Sequence, residues 1–159
     1  MIAIRPARPG DEALVLRFVR ELAAFEREPD AVLATEADFA RALFGAEREA
    51  EAVVAEAGGE PVGFALFFHN FSTWEGRRGL YLEDLYVTPS ARGRGVGRAL
   101  LEHLARIALD RGCARFEWSV LDWNADAIAF YRALGAMGME EWTVQRVDGD
   151  ALRRLAGRG

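Results

Sequence analysis

The run Leu80-Tyr-Leu-Glu-Asp-Leu-Tyr-Val-Thr88 has the aromatic and β-branched content of a strand. It breaks at Pro89 and passes through Arg92-Gly-Arg-Gly-Val-Gly97 into a helical pattern. Strand, glycine loop and helix in direct succession commit the chain to an α/β arrangement. Closely spaced glycines let backbone N–H groups approach a ligand with no Cβ in the way, and the start of the following helix adds a positive dipole end. Arg92, Arg94 and Arg98 add positive charge, so the segment reads as a cradle for a coenzyme pyrophosphate. A Walker-type loop is excluded because no Lys-Ser or Lys-Thr follows the glycines. A dinucleotide fingerprint starting at Gly95 is excluded because Leu100 stands where glycine is required.

The flanking sequence supplies the layers that such a loop needs. A short strand, roughly Ile2 to Arg5, leads to Asp11, which is expected to cap a helix through about Phe25. Leu14, Phe18, Leu22 and Phe25 recur there at spacings of three and four. Thr35-Glu-Ala-Asp38 reads as a capping box with Asp in place of Glu, opening a second helix. Ala52 to Glu56, the turn Gly58-Gly59-Glu-Pro61 and Val62 to His69 form a hairpin. A loop from Asn70 to Gly79 then leads into the Leu80 strand, giving a three-stranded antiparallel meander. Val96, Leu100, Leu104 and Ile107 trace the helix after the glycine loop. A strand is expected over Ala114 to Leu121, a helix capped by Asn124 over Ala125 to Leu134, a final strand around Trp142 to Val147, and a short helix within Ala151 to Gly159. Strict alternation puts Glu83 and Asp84 on opposite faces of their strand unless a bulge intervenes.

At 159 residues and 51% apolar content, one domain with one core is expected. The net charge of −5 gives no footprint for nucleic acid. An acidic protein with one basic loop suits an anionic cofactor and a cationic second substrate, and Glu26, Glu28 and Asp30 are an acidic run able to attract such a cation. Cys113 is the sole cysteine, and His69 and His103 lack metal-ligand spacing, so no metal is expected. With neither a signal-peptide pattern nor an apolar run approaching ~20 residues, no membrane partner is expected and a cytoplasmic location follows by default.

Arg92-x-x-Gly95-x-Gly97 resembles the coenzyme A loop of the GNAT superfamily of N-acetyltransferases, and Asn124-x-x-Ala-x-x-Phe130-Tyr131-x-x-Leu-Gly135 is similar to its final strand-to-helix segment. Longer strings resemble the diamine acetyltransferase family. They are Ile4-Arg-Pro-Ala7, Glu21-Leu-Ala23, Ser72-Thr-Trp74-x-Gly76-Arg77, Tyr81-Leu-Glu-Asp84, Val120-Leu-Asp-Trp-Asn124 and Ala133-Leu-Gly-Ala136. That family includes spermidine/spermine acetyltransferases and their thialysine-acetylating relatives, and the Ser-Thr-Trp and Leu-Asp-Trp-Asn segments lean toward the latter. The resemblance implies the GNAT acyl-CoA N-acyltransferase fold, a single α/β domain over residues 1–159. Its mixed, mostly antiparallel sheet would be flanked by helices and splayed where acetyl-CoA inserts. It further implies direct acetyl transfer to a primary amine of a small cationic substrate, commonly by a homodimer.

The implied roles match the chemistry. An alkylammonium with a pKa near ~10 must lose a proton before it attacks a thioester, which calls for a carboxylate. Glu83 matches the family's substrate-site glutamate, orienting the ammonium or accepting its proton through water. Tyr131 matches the general acid that protonates the departing thiolate. The backbone of Leu85, Tyr86 and Val87 is implied to pair with pantetheine, and a backbone N–H there to polarise the thioester carbonyl. Arg92, Gly93, Arg94, Gly95, Val96, Gly97 and Arg98 are implied to hold the pyrophosphate, and Asn124 to contact the pantetheine arm. Trp74 and Trp123 match positions that wall the amine channel. The segment Met137-Gly-Met-Glu-Glu-Trp142 looks shorter than its counterpart in eukaryotic-type enzymes. Acetylation of a protein or peptide amine and a non-catalytic CoA-binding sensor are the rival readings.

Overall fold

A computed structural model describes residues 1–159, which divide into two compact units, Met1–Ser119 and Val120–Gly159. The first unit contains β1 (Ile2–Pro6), α1 (Glu12–Phe25), α2 (Glu36–Phe44), β2 (Glu51–Ala57), β3 (Glu60–Ser72), β4 (Arg77–Val87), a 3₁₀ turn (Pro89–Ala91), α3 (Val96–Asp110) and β5 (Phe116–Trp118). The sheet order is β1-β2-β3-β4-β5, antiparallel throughout except for the parallel β4–β5 pair. The expected meander is present and longer than the sequence implied. β3 continues to Ser72 and β4 begins at Arg77, so most of the expected Asn70–Gly79 loop is paired strand.

Helix α1 packs through Val15, Leu16 and Phe18, all buried. The Phe18 ring meets Phe64 of β3 at 5.7 Å and Tyr86 of β4 at 5.6 Å, and with Leu43 of α2 these residues make one core cluster. Aromatic pairs at these separations add about 0.5–1.5 kcal/mol to their area burial. Helix α3 approaches the opposite face, where Gly63 lies beside Val96 and Leu100. A Cβ at Gly63 would stand 2.7 Å from the Tyr86 carbonyl oxygen. Thr35 and Asp38 make the capping box of α2 in both directions. Asp11 precedes α1 without a side-chain cap bond. Its carboxylate instead accepts from the Arg5 guanidinium at 2.8 Å and the Arg8 N–H at 2.9 Å, tying β1 to the start of the helix.

The second unit contains α4 (Ala125–Ala133) and α5 (Gly149–Leu155), with Asn124 capping α4 by accepting from the Ala127 N–H at 3.2 Å. The expected strand over Trp142 to Val147 is not formed: the segment carries no regular structure, and Trp142 and Val144 are exposed. A strand needs a partner ladder for its N–H and C=O groups, and this unit contains no other strand. For the same reason β5 is shorter than the expected Ala114–Leu121, because its pairing with β4 covers only three residues.

Candidate active site

Strand β4 is paired on its β3 side up to Val87, but β5 meets it only at Leu80, Tyr81 and Leu82. Residues Glu83 to Val87 therefore present a backbone edge on the side away from β3, suited to pairing with an extended amide-bearing ligand. The side chain of Tyr86 is buried with its hydroxyl donating to Glu21 at 2.8 Å, so what Leu85, Tyr86 and Val87 offer along this edge is chiefly backbone.

The chain then turns through the 3₁₀ segment into the glycine loop. Gly93 and Gly95 hold φ of 78° and 81°, the left-handed region open to glycine with no Cβ penalty. Gly95 is the N-cap of the fifteen-residue α3 and has no capping side chain, so the first-turn N–H groups of Val96, Gly97 and Arg98 suit an anion at the positive end of the helix dipole. Val96 is buried and contributes backbone only, whereas Arg94 and Arg98 are exposed. Arg92 is exposed as well but is tethered to the protein: its Nε donates to the Val87 carbonyl at 3.0 Å, and its guanidinium carbon lies 4.9 Å from the Phe25 ring centre.

Where Asp84 was expected to face away from Glu83, the sheet has a bulge. Leu66 pairs with Asp84 while the next residue, Phe67, pairs with Leu82, leaving Glu83 as the extra residue of β4. The bulge resets the alternation and joins the two carboxyl groups electrostatically. Asp84 is pushed up to about 6 by burial, by the charge of Glu83 and by that of Glu26 at the end of α1. Burial also raises Glu26. Three carboxyl groups from two elements thus share one negative field at the β4 edge. Asp84 is the member that period-two alternation hid.

Of the other expected site residues, Trp74 belongs to the first unit and Trp123, Asn124 and Tyr131 to the second. Trp74 is exposed at the tip of the β3–β4 hairpin, and the six strand steps from Arg77 to Glu83, at about 3.3 Å each, put it about 20 Å from the carboxylates. It stacks with Arg115 instead, at 5.9 Å. A cleft lined by Asn70, Arg78, Arg115 and Glu117 also lies at that end, and its volume of about 50 Å³ is far below that of a coenzyme pocket. In the second unit, Trp123 is partly exposed, Asn124 has its carbonyl oxygen committed to capping α4, and Tyr131 lies on α4 with its ring 5.6 Å from Phe130.

A splayed sheet edge leading into a glycine loop at a helix start is a place for an acyl-coenzyme arm, and residues 16–136 match the model of the Acetyltransferase (GNAT) family. The chain belongs to that family. It is an acetyltransferase with the family's mixed five-stranded sheet flanked by helices, and members of the family use acetyl-CoA as co-substrate. The thialysine N-epsilon-acetyltransferase of Bos taurus is 41% identical over an alignment of 168 residues spanning 99% of this chain and 98% of that protein. The spermidine/spermine N(1)-acetyltransferase-like protein 1 of Homo sapiens is 35% identical over 96% of this chain, which spans 23% of that protein. Among solved structures, an integron cassette protein of V. cholerae superposes with a TM-score of 0.80 at 31% identity, covering 98% of this chain and 97% of that one. No helix of this GNAT protein is long and apolar enough to cross a membrane.

Proposed function

We propose that this acetyltransferase acetylates a primary amine of a small cationic acceptor: a thialysine- or lysine-like amino acid, a diamine or a polyamine. The observation that carries the reading is the shared field of Glu26, Glu83 and Asp84 at the free edge of β4. The charges of Glu83 and Glu26 add to burial in raising the proton affinity of Asp84, and that load is relieved when an ammonium ion enters among the three. The relatives named for thialysine acetylation, 41% identical over nearly the whole chain, support the same acceptor class.

When bound, acetyl-CoA supplies the acetyl group as a thioester. The chain provides the rest. The backbone of Leu85, Tyr86 and Val87 pairs with the pantetheine amides, and the N–H groups from Gly93 to Arg98, with Arg94 and Arg98, hold the pyrophosphate. Asn124 keeps its amide NH₂ available to the arm, and Trp123 borders the acceptor. Glu26 draws in the cation. Glu83 orients the ammonium or accepts its proton through water, and Asp84, with its affinity poised near neutrality, is a second proton acceptor. Tyr131 returns a proton to the departing thiolate. Transfer is direct, with no acyl-enzyme. The two units act as one acetyltransferase domain, since the family match crosses the boundary between Ser119 and Val120. The protein works in the cytoplasm as a homodimer, and exposed Phe71 and Trp74 at the hairpin tip supply apolar surface for association. Light scattering that gives a monomer mass at all concentrations would remove the dimer.

The test is kcat/KM across thialysine, lysine, short diamines, spermidine and a lysine-containing peptide, each for the native protein and Glu26→Gln. The expected result is preference for a small di- or polycation that Glu26→Gln weakens mainly through KM. Preference for the peptide, with Glu26→Gln silent, overturns the small-cation reading.

A further inference from the structure

Beyond the residues that touch substrate, and resting on the proposed binding of acetyl-CoA at the glycine loop, we propose that Arg92 is a positioning residue rather than a pyrophosphate ligand, joining the coenzyme loop to the acceptor side of the site. Its guanidinium is where three elements meet. Nε donates to the carbonyl of Val87, the last residue of β4. One ring against it is Phe25, the last residue of α1, at 4.9 Å, and the other is Tyr86 of β4 at 5.7 Å. Tyr86 is itself held to α1 through its hydroxyl, which donates to Glu21 at 2.8 Å, and Glu21 pairs with Arg17 at 3.4 Å.

The position of Arg92 gives this arrangement a consequence. It immediately precedes Gly93-Arg94-Gly95, where two residues with positive φ give the loop the widest backbone freedom of any residue type. A loop that must present N–H groups to an anion needs a fixed entry, and the bond to Val87 ties that entry to the end of the β4 edge. On the other side, Phe25 is followed directly by Glu26, one of the three carboxyl groups of the acceptor field. One side chain therefore sets the loop relative to the β4 edge and steadies the end of α1 that carries Glu26. This guanidinium, though exposed, spends Nε on a backbone carbonyl and lies against two rings, a use suited to arginine and poorly reproduced by lysine.

The experiment compares acetyl-CoA with acetyl-pantetheine, which lacks the pyrophosphate, in the native protein, Arg92→Lys, Arg92→Gln and Arg94→Gln, with the amine KM and melting temperature measured alongside. Positioning predicts that both Arg92 variants lose kcat/KM by roughly tenfold, about 1.4 kcal/mol, to the same extent on both donors. The amine KM rises in parallel, the melting temperature is nearly unchanged, and lysine gives no rescue. Arg94→Gln loses activity on acetyl-CoA alone. A loss at Arg92 confined to acetyl-CoA, or restored by lysine, overturns the proposal in favour of a phosphate ligand. If the Arg92 variants do not fold, Phe25→Leu decides: it removes the stacked ring while leaving every charge, and native kinetics on both donors would overturn the proposal. Absence of amine-dependent turnover in the native protein would refute the proposed function and this inference with it, whereas native turnover with lysine rescue refutes this inference alone.

Discussion

Replacing Asp84 by Asn should make the protein more stable and a poorer enzyme, with both effects set by pH. Burial and the charges of Glu83 and Glu26 push Asp84 up to about 6, against about 3.9 for an ordinary aspartate. A folded-state value above the unfolded one means the native state binds the extra proton between those limits, so ionisation of Asp84 costs stability as pH rises through that window. About two pKa units at 1.36 kcal/mol each amount to roughly 3 kcal/mol, fully expressed above about pH 6 and absent below about pH 4. Asn stays neutral at every pH, so Asp84→Asn should gain about 2–3 kcal/mol at pH 8, or roughly 4–12 °C in melting temperature for a chain of this size, and nothing near pH 3.5. Loss of one of three carboxylates should at the same time lower kcat/KM for a cationic amine by roughly ten- to hundredfold, since a charge pair at about 6 Å and an effective dielectric of about 20 is worth about 3 kcal/mol before screening. Differential scanning fluorimetry from pH 3.5 to 8, paired with initial rates, reads both. A stability change that is independent of pH, or a stabilised variant with native kcat/KM, would refute the assignment of Asp84 to a shared negative field.

Tyr131→Phe should lower kcat by roughly 10²–10³-fold while leaving the KM for acetyl-CoA nearly unchanged, as measured by steady-state kinetics. Glu51 accepts from both terminal nitrogens of Arg111, at 2.6 and 2.9 Å, and that bond, with the charges of Arg111, Arg48 and His69, lowers its proton affinity against burial. A lowered folded-state value means stability that is present above about pH 4.5 and lost as pH falls. Glu51→Gln should therefore cost about 1 kcal/mol in denaturant melts at pH 7, and the difference should shrink progressively as pH falls below about 4.5. Gly95→Ala forces an alanine into φ of 81° at the start of α3. It should cost about 1–2 kcal/mol and raise the acetyl-CoA KM several-fold in the same assays.

Features governed by local periodicity and capping were legible in the sequence. Phe18 is buried and Leu14 and Leu22 pack half-buried beside it, as expected for the core face of α1, whereas Phe25 at the helix end is exposed; Thr35 and Asp38 mark the start of α2, and Asn124 marks that of α4, because each signal depends on residues within one or two turns. The glycine loop was legible because two positive-φ positions in three residues favour glycine. The bulge at Glu83 was not, since it is a property of register between β3 and β4 and leaves no mark on either strand alone. Asp84 was hidden with it. Arg92 was legible as a charge but not by direction, which depends on Phe25, more than sixty positions earlier in the chain. The strand expected at Trp142 to Val147 had suitable residues, but β propensity expresses packing against neighbours, and within its own unit that segment has no strand to pair with.

The most direct measurement is product formation: incubate the purified protein with acetyl-CoA and lysine, thialysine or spermidine, follow free thiol, and identify the amine product by mass spectrometry. One acetylated amine formed for each CoA released, with saturation in both substrates and intersecting initial-rate lines, is the expected outcome for direct transfer onto a small cation. Tight binding of acetyl-CoA with no amine-dependent thiol release, or acetyl groups appearing only on a peptide, would contradict it.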